Sequence, residues 1–379
     1  MLATHNYWNN KTEVKFGSGA RELLIRKVSK QKVALFCSQS AAERLKKDPV
    51  LADLFALENV IIVSDFSDNP KLSEMEAISE RYFQDDVSLI VAIGGGSAMD
   101  AAKVASMTLK GKQKNLILSE ILENPKLAET IPTIEMIALP TTAGTGSEVT
   151  PFATVWDHAE KKKKSLSASG LQPDLAIIDP DFLTGLPLEV ALSTGLDAMN
   201  QALESLWNIN SNNISQALAL RALSSGLEYL PEIRDIKSSE TVRLGLMNMS
   251  LMAGMAISHT RTGLCHSISY PLTMRFGLPH GFACAFSMVE VLELNGDSIS
   301  KVLSFGSITK EQIRDTITAI FQEYEYEKKI LKYGLGKTAI LEELGNMYSP
   351  DRANNNITPV NHQIIVDIVE KSCQRFGII

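Results

Sequence analysis

The first half of the chain alternates short apolar runs with longer, helix-like stretches. The apolar runs are residues 32–36 (K-V-A-L-F), 59–63, 89–93, 136–139 and 175–178. Strands that alternate with helices favour a parallel sheet covered on both faces, and such strands are almost continuously apolar. The pattern therefore predicts an α/β domain with a parallel sheet.

After Asp179 the pattern changes. Residues 198–207, 214–230 and 242–258 carry apolar side chains at three- and four-residue spacing, and few strand-like runs interrupt them. This period indicates helices with one buried face. We therefore expect two domains, an α/β domain over residues 1–182 and an all-α domain over residues 183–379.

Composition excludes several classes of protein. The chain has 379 residues, of which 45% are hydrophobic and 21% charged, as in ordinary globular proteins. Its net charge of −7 disfavours nucleic acid or an anionic membrane as the main partner. No apolar run approaches the roughly 20 residues of a membrane span, and the N-terminus lacks a secretory signature. Four cysteines without a C-x-x-C pair fit a reducing, cytoplasmic location.

Two loops at strand ends carry a cofactor signal. Gly94, Gly95 and Gly96 follow a predicted strand and precede a helix beginning near Ser97, whose N-terminal N–H groups suit a phosphate. The loop at residues 139–148 (L-P-T-T-A-G-T-G-S-E) follows the next strand. Each loop alone also fits a simple turn, and the G-x-G-x-x-G fingerprint is absent after the first strand. Together they predict ligand binding at the carboxyl edge of the sheet.

Four residues in the second half suggest a divalent metal. Asp197 and Gln201 lie four residues apart, on one helical face, while His280 stands between Pro279 and Gly281 in a predicted turn. His266 would add a second imidazole, although a histidine in an apolar helix is more often a hydrogen-bonded core residue. A carboxylate, an amide and two imidazoles can hold Fe(II) or Zn(II) and leave a position for a substrate oxygen.

The motifs, in this order, resemble those of the iron-containing (group III) alcohol dehydrogenases along nearly the whole chain. They are W-N-N-K-T-E-V-K-F-G-S-G-A, G-G-G-S-A-M-D-A-A-K, P-T-T-A-G-T-G-S-E, T-G-L-D-A-M, P-H-G and P-D-R-A-N-N-N. The resemblance implies an NAD(P)-binding α/β domain and an all-helical metal domain, a dehydroquinate synthase-like architecture with the active site between them. It also implies a dimer or larger homo-oligomer.

The resemblance assigns roles position by position. The cofactor contacts fall on Gly95, Gly96, Ser97, Asp100, Thr141, Thr142, Thr145, Ser147 and Lys163. Three metal ligands fall on Asp197, His266 and His280.

Three positions depart from the family pattern. Gln201 and Tyr270 stand where the family usually has histidines, so metal affinity should be weaker and Tyr270 becomes the candidate proton donor. Gln39 stands where members that prefer NAD often have aspartate. Without that carboxylate the site need not repel a 2′-phosphate, and both NADH and NADPH remain open.

The stretch S-H-T-R-T-G-L-C-H-S-I-S-Y-P-L-T-M-R-F-G-L-P-H-G resembles the phosphonoacetaldehyde reductase subgroup of that family. Arg261 is its distinctive cation, and His259 and Arg275 are weaker candidates for substrate binding. A guanidinium fork matches phosphonate oxygens well. The alternative for Arg261 is a structural ion pair.

The resulting hypothesis is metal-assisted hydride transfer from NAD(P)H to a small aldehyde, most specifically phosphonoacetaldehyde, giving 2-hydroxyethylphosphonate. A general primary alcohol dehydrogenase is the alternative within the family. A dehydroquinate synthase-like lyase and a non-catalytic cofactor-binding protein are the alternatives from other classes.

Overall fold

The computed structural model of the protein describes residues 8–28, 31–82, 85–112, 116–159 and 162–378. These residues form two compact units. The α/β unit comprises Asn10–Thr142 and Ser147–Thr184, and the helical unit comprises Ala143–Gly146 and the described chain from Gly185 onward, together with residues 8 and 9. Residues 1–7, on which part of the expected absence of a secretory signal depends, lie outside the described residues.

The α/β unit is built on a six-stranded parallel sheet with strand order β1-β8-β5-β4-β2-β3. Its strands are β1 (Glu13–Phe16), β2 (Val33–Phe36), β3 (Val60–Val63), β4 (Leu89–Gly94), β5 (Glu135–Pro140) and β8 (Leu175–Ile178). All five predicted strands are confirmed within one residue at either end. Strand β1 was not predicted from the sequence, and neither were the two strands of an antiparallel hairpin, β6 (Phe152–Asp157) and β7 (Lys162–Ser167).

Both faces of this sheet are buried, which explains the continuous apolar runs. In β4, Leu89, Val91 and Ile93 point into one core, while Ile90 and Ala92 point into the other. The covering helices are α1 (Glu22–Val28), α2 (Gln39–Leu45), α3 (Leu72–Tyr82), α4 (Gly96–Lys112), α5 (Leu118–Glu123) and α6 (Pro125–Ala128). A strand with both faces covered has no polar side, so it does not alternate.

The strand order reverses between β2 and β4. From β2 the chain moves outward to β3, then returns to β4 on the other side of β2 and continues to β5. Such a switch point leaves a crevice at the carboxyl ends of the two strands, because the connections leave in opposite directions. The fold therefore places a ligand crevice where the chain leaves β2 and β4.

Three long helices form the centre of the helical unit. They are α7 (Leu188–Leu206), α8 (Asn213–Tyr229) and α9 (Glu240–Thr260), which pack against one another and confirm the three predicted helical stretches. Asn212 caps α8 by accepting hydrogen bonds from two backbone N–H groups, which are otherwise unsatisfied at a helix start. None of the helices in the described part of the chain has the length and apolar content that a membrane crossing requires.

The remaining helices of this unit follow in chain order. They are α10 (Leu264–Phe276), α11 (His280–Ala285), α12 (Met288–Asn295), α13 (Ser300–Phe305), α14 (Lys310–Glu323), α15 (Tyr326–Leu331), α16 (Lys337–Leu341), α17 (Pro350–Ala353) and α18 (His362–Arg375). The prediction of a parallel α/β domain followed by an all-helical one is confirmed.

Candidate metal centre and cofactor loops

Four potential metal ligands converge inside the helical unit. One donor atom each from Asp197, His266, His280 and Cys284 lies within 4.8 Å of all the others. His266 Nε2 is 3.4 Å from Asp197 Oδ1, and Cys284 Sγ is 3.7 Å from His280 Nε2. Asp197, His266 and Cys284 are buried, and His280 is half-buried. The sequence analysis named three of these residues and missed Cys284.

Close helix packing brings these donors together. Asp197 lies midway along α7, while His280 and Cys284 lie one turn apart on α11. A Cβ at Gly281 would lie 1.8 Å from the backbone oxygen of Ser193 on α7. Only glycine permits this approach, so Gly281 allows α11 to present its two donors beside Asp197.

Glu204 orients the His266 ring. Its Oε2 lies 2.7 Å from His266 Nδ1, and the same carboxylate accepts the backbone N–H groups of Gly263 and His266 at 2.7 and 3.1 Å. Glu204 has no solvent exposure. A carboxylate on one ring nitrogen fixes the proton there and leaves the lone pair of the other nitrogen for a metal. Nε2, which faces Asp197, is thus the nitrogen available to a cation.

Two buried oxygens beside the cluster indicate that it suits a cation. Among the described residues, Asp197 Oδ1 and Gln201 Oε1 have no hydrogen-bond partner. The Gln201 amide nitrogen donates to the carbonyl oxygen of Thr145 at 3.4 Å. Buried polar atoms are normally paired, and carboxylate, imidazole and thiolate donors are those that zinc and iron accept. The residues present therefore fit a divalent metal.

The ionisable groups of the cluster strongly shift one another's pKa values. Burial of Asp197 opposes its ionisation, but His266 and His280 outweigh burial and hold its pKa below the ordinary value. Burial lowers the pKa of His266, but Cys284, Glu204 and Asp197 together raise it well above the ordinary value. Burial raises the pKa of Cys284, and the two histidines bring it down to about 7. A cation entering this cluster displaces protons from it.

The two predicted cofactor loops lie side by side in the α/β unit. The Thr141 N–H donates to the Gly94 carbonyl at 2.9 Å, where β4 and β5 end together. Helix α4 begins at Gly96, so its first N–H groups face the carboxyl edge of the sheet. The Ser97 hydroxyl donates to the Asp68 carbonyl. Gly95, Ser97, Thr141 and Thr142 are all half-buried at this edge.

Asp100 and Ser147 belong to a buried network that the sequence analysis did not foresee. Asp100 accepts the Ser147 hydroxyl and the Thr154 N–H, each at 2.9 Å. The Lys103 ammonium donates to Ser147 Oγ at 2.8 Å and to Thr150 Oγ1 at 3.2 Å, and Lys103 has no solvent exposure. The network ties the end of the second loop to α4. Cofactor contact by Asp100 and Ser147 stays a prediction.

The other predicted cofactor residues lie on separate elements. Gln39 is exposed at the start of α2, immediately beyond the carboxyl end of β2 at the switch point. Lys163 lies on β7, with its Nζ 5.7 Å from the centre of the Trp156 ring. Thr145 belongs to the segment of the second loop that packs with the helical unit.

Arg352 contacts Tyr270 and interacts electrostatically with Arg261. Arg352 Nε donates to the Tyr270 hydroxyl at 3.2 Å. Arg261 follows the last residue of α9 with a positive φ of 65°. Burial lowers the pKa of the Arg261 guanidinium, and the positive charge of Arg352 lowers it further, while Asp351 opposes both. Arg261 is exposed and Arg352 is half-buried. Two neighbouring cations favour a nearby anion, and Asp351 already supplies one negative charge. Arg352 was not a predicted site residue.

The two weaker candidates for substrate binding, His259 and Arg275, form contacts with other residues of the protein. His259 Nε2 lies 2.8 Å from Asn212 Nδ2, and its ring centre is 5.8 Å from that of Trp8. Arg275 forms ion pairs with Glu342 and Glu343 on the surface. Their part in substrate binding stays a prediction.

Comparison with known proteins accords with this geometry. Residues 11–180 match the family described as iron-containing alcohol dehydrogenase, and residues 191–373 match the C-terminal region of the same family. The chain belongs to the iron-containing alcohol dehydrogenases. The recognition made from the motifs is thereby confirmed.

Two relatives within this family bear on specificity. A phosphonoacetaldehyde reductase of Streptomyces viridochromogenes is 38% identical over 251 residues, which are 65% of this chain and 63% of that protein. The probable alcohol dehydrogenase EutG of Escherichia coli is 32% identical over 252 residues, 65% of this chain and 61% of that protein. The matched part of the chain thus spans less than two thirds of the length of each.

A solved structure shares the fold. A sulfoacetaldehyde reductase from Bifidobacterium kashiwanohense, solved in complex with NAD+, superposes with a TM-score of 0.84 at 24% identity. The superposition covers 96% of this chain and 98% of that one. This likeness extends through both the sheet and the helices.

Proposed function

We propose that this protein is a metal-dependent, NAD(P)H-linked reductase of a small aldehyde, with phosphonoacetaldehyde as substrate and 2-hydroxyethylphosphonate as product. The observation that carries the proposal is the buried convergence of Asp197, His266 and His280 in an iron-containing alcohol dehydrogenase. The 38% identity with a phosphonoacetaldehyde reductase supports the choice of substrate.

The metal site comprises Asp197, His266 and His280, with Gln201 as the fourth ligand predicted from sequence. A divalent cation bound there, Fe(II) or Zn(II), supplies Lewis acidity to a carbonyl oxygen. Glu204 keeps Nε2 of His266 directed at the cluster, so the ligand geometry is set before a cation arrives.

The two loops proposed to bind the cofactor follow β4, which borders the switch point, and the neighbouring strand β5. The turn of Gly95 and Gly96, with the first N–H groups of α4, binds the pyrophosphate, and Thr141 and Thr142 line the neighbouring loop. Lys163 reaches the ribose. A nicotinamide cofactor held there would supply the hydride for the aldehyde carbon; with one proton at the oxygen, the products would be a primary alcohol and NAD(P)+.

Tyr270 holds the proton for that step. It lies one helical turn after His266 on α10, so the two side chains share a face of the helix. Its hydroxyl oxygen accepts a hydrogen bond from Arg352 Nε. A cationic donor on the phenol oxygen stabilises the phenolate and so eases release of the proton to the product oxygen.

Arg261 and Arg352 supply the specificity for a phosphonate. Their mutual repulsion is relieved by an anion that accepts from both, and the two negative charges of a phosphonate match the two guanidinium groups. Asn355 Nδ2 donates to the Thr262 carbonyl at 2.9 Å and to the Asp351 carbonyl at 3.0 Å. This amide ties the segment that carries Arg352 to the one that carries Arg261.

A substrate panel tests the proposal. Protein reconstituted with Fe(II) or with Zn(II) is given NADH or NADPH and phosphonoacetaldehyde, sulfoacetaldehyde, acetaldehyde or propanal, and cofactor oxidation is followed. We expect kcat/KM for phosphonoacetaldehyde to exceed that of neutral aldehydes by tenfold or more, since one charge-assisted contact contributes about 1.5–3 kcal/mol. Absence of cofactor oxidation with every aldehyde would refute the proposal.

A general primary alcohol dehydrogenase is the second candidate, favoured by the likeness to EutG. It predicts equal or higher kcat/KM for propanal and acetaldehyde than for phosphonoacetaldehyde. A lyase of the dehydroquinate synthase type predicts no net oxidation of the cofactor, and a non-catalytic binding protein predicts no turnover.

We also propose a cytoplasmic location, a homodimer, and the domain boundary between residues 182 and 183. Sedimentation of the purified protein tests the dimer. Expression of residues 183–379 alone tests whether the helical part folds by itself.

A further inference from the structure

A residue other than Gln201 is a candidate for the fourth protein ligand of the metal. Gln201 was predicted from sequence; its amide nitrogen donates to the Thr145 carbonyl, and its Oε1 has no hydrogen-bond partner among the described residues. Cys284 Sγ lies within the donor cluster. We propose that Cys284 is a protein ligand of the metal together with Asp197, His266 and His280. The proposal rests on the proposed function to the extent that a metal occupies this site.

The distances agree with those of a tetrahedral site. Zinc bonds of about 2.0–2.3 Å to oxygen, nitrogen and sulfur at tetrahedral angles place neighbouring donors about 3.3–3.6 Å apart. His266 Nε2 and Asp197 Oδ1 are 3.4 Å apart, and Cys284 Sγ and His280 Nε2 are 3.7 Å apart. These two pairs match tetrahedral spacing, and all four donor atoms lie within 4.8 Å of one another, close enough for one cation to draw them into a single site.

The surroundings of Cys284 point the same way. Cys284 has no solvent exposure, and its neighbours Phe282 and Ala283 are also fully buried. The Asp197 side chain in the same cluster is only 3% exposed, and its Oδ1 faces His266 Nε2 at 3.4 Å without a hydrogen bond. A buried thiol beside a carboxylate oxygen and two imidazoles is a donor set for a metal rather than an apolar core contact.

Helix α11 provides the required spacing. His280 is its first residue and Cys284 follows four residues later, so both side chains lie on the face that packs on α7. The glycine between them, Gly281, allows that packing. One short helix thus contributes two ligands of different chemistry.

A thiolate changes the expected metal. Oxygen and nitrogen donors alone accept many divalent ions, whereas sulfur favours zinc and cobalt over manganese and magnesium. Four protein donors still admit a substrate oxygen, since zinc sites can expand to five ligands. We expect zinc to bind more tightly than Fe(II) in direct competition.

Cobalt reports the sulfur ligand without any assay of activity. The chelator-treated full-length protein is loaded with one equivalent of Co(II), and its spectrum is searched for the near-ultraviolet charge-transfer band of a cobalt–thiolate bond. We expect the band in the unaltered protein and in Cys265→Ser, and its loss in Cys284→Ser. Cys265 is the matched control, because it is equally buried and precedes His266 but does not belong to the cluster.

The affinity gives a second measurement. Loss of a residue that merely supports a ligand typically weakens metal binding 10–100-fold, so loss of a direct ligand should weaken zinc binding by about 100-fold or more in Cys284→Ser. X-ray absorption of the zinc-loaded, unaltered protein should show one sulfur at about 2.3 Å. This last measurement needs no variant and does not depend on how a variant folds.

The outcomes separate the two proposals. A site that binds one equivalent of zinc or cobalt with only oxygen and nitrogen neighbours overturns the assignment of Cys284 and leaves the proposed function standing. Failure of the protein to bind any divalent metal overturns both. A charge-transfer band that persists in Cys284→Ser also overturns the assignment.

Discussion

Glu204 Oε2 and His266 Nδ1 lie 2.7 Å apart in a place without solvent exposure. Because the carboxylate also accepts two backbone N–H groups, it is held rigidly and holds the ring in turn. When a metal displaces the other ring proton, the proton on Nδ1 stays with Glu204 and the Nε2 lone pair is the one that the metal uses. Glu204 therefore acts on the metal through His266.

Replacing this carboxylate should weaken metal binding. Glu204→Gln keeps an oxygen acceptor but removes the charge, and we expect zinc affinity to fall about 10–100-fold, as measured by competition with a chelator. Glu290→Gln is the matched control, since Glu290 is also buried but pairs with Arg375 and Ser372. Unchanged affinity in Glu204→Gln would show that the carboxylate only supports packing.

Gly281 should tolerate no side chain. In Gly281→Ala the new Cβ would meet the Ser193 carbonyl, so α11 must move away from α7, at a cost of about 3 kcal/mol or more of unfolding free energy. His280 and Cys284 move with the helix, so metal affinity should fall as well. Denaturant titration and chelator competition measure the two effects.

The control for Gly281 is Gly345→Ala. A Cβ there would meet nothing within 4 Å, and the backbone at this position has no positive φ. We expect no loss of stability or metal affinity. A similar small effect at Gly281 would mean that the helices can separate without cost.

The layout of the fold was predictable because buried strands and helices require apolar residues in characteristic patterns. Strands such as β4, with Leu89, Val91 and Ile93 in one core and Ile90 and Ala92 in the other, must be apolar throughout. Strand β1 escaped notice because E-V-K-F is a mostly exposed edge strand. The hairpin of β6 and β7 escaped because its second strand begins with three lysines.

The site was predictable only where chemistry followed a recognisable spacing. Asp197, His266 and His280 belong to motifs, whereas Cys284 looks like one of several buried cysteines. Its four-residue spacing from His280 was the available signal. Arg352 belongs to the motif P-D-R-A-N-N-N, but its contact with Tyr270, 82 residues earlier in the chain, could not be predicted from any local spacing.

Arg261 and Arg352 should determine the preference for a negatively charged substrate. In Arg261→Ala and Arg352→Ala we expect KM for phosphonoacetaldehyde to rise by about 10- to 150-fold, the equivalent of about 1.5–3 kcal/mol for a lost charge-assisted contact. KM for propanal should hardly change, since a neutral aldehyde has no anion to bind. Steady-state kinetics with both substrates give this comparison directly.

Arg234→Ala is the control for the arginine pair, because Arg234 is exposed and pairs with Glu323 on the surface of the same unit. It should leave both KM values unchanged. Equal rises for propanal and phosphonoacetaldehyde in Arg261→Ala would indicate a structural role for Arg261.

Gln39 should influence the choice of cofactor. It is exposed beyond β2 at the switch point, where a carboxylate would repel a 2′-phosphate and accept from a ribose hydroxyl. In Gln39→Asp we expect the ratio of kcat/KM for NADPH to that for NADH to fall about tenfold, the equivalent of about 1.4 kcal/mol. Asparagine has the same size as aspartate but no charge, so Gln39→Asn should leave the ratio near that of the unaltered protein. An equal fall in both variants would rule out an effect of charge.

Glu148 should make the α/β unit less stable as the pH rises toward neutrality. Burial raises its pKa to about 7, although Lys103 opposes the shift. In the unfolded chain the ordinary value of 4.5 returns, so between pH 4.5 and 7 the folded state binds more protons than the unfolded state. The stabilising effect is complete below pH 4.5 and disappears as the pH rises through about 7.

The measurement is the free energy of unfolding at several pH values from 4.5 to 7.5. Glu148→Gln cannot titrate, so its stability should decline less over this range than that of the unaltered protein, by about 2–3 kcal/mol for a shift of this size. Glu13→Gln is the control, since Glu13 is exposed on β1 and its pKa is lowered by Lys15, the opposite direction. Parallel pH profiles for Glu148→Gln and the unaltered protein would show that Glu148 titrates near its ordinary pKa.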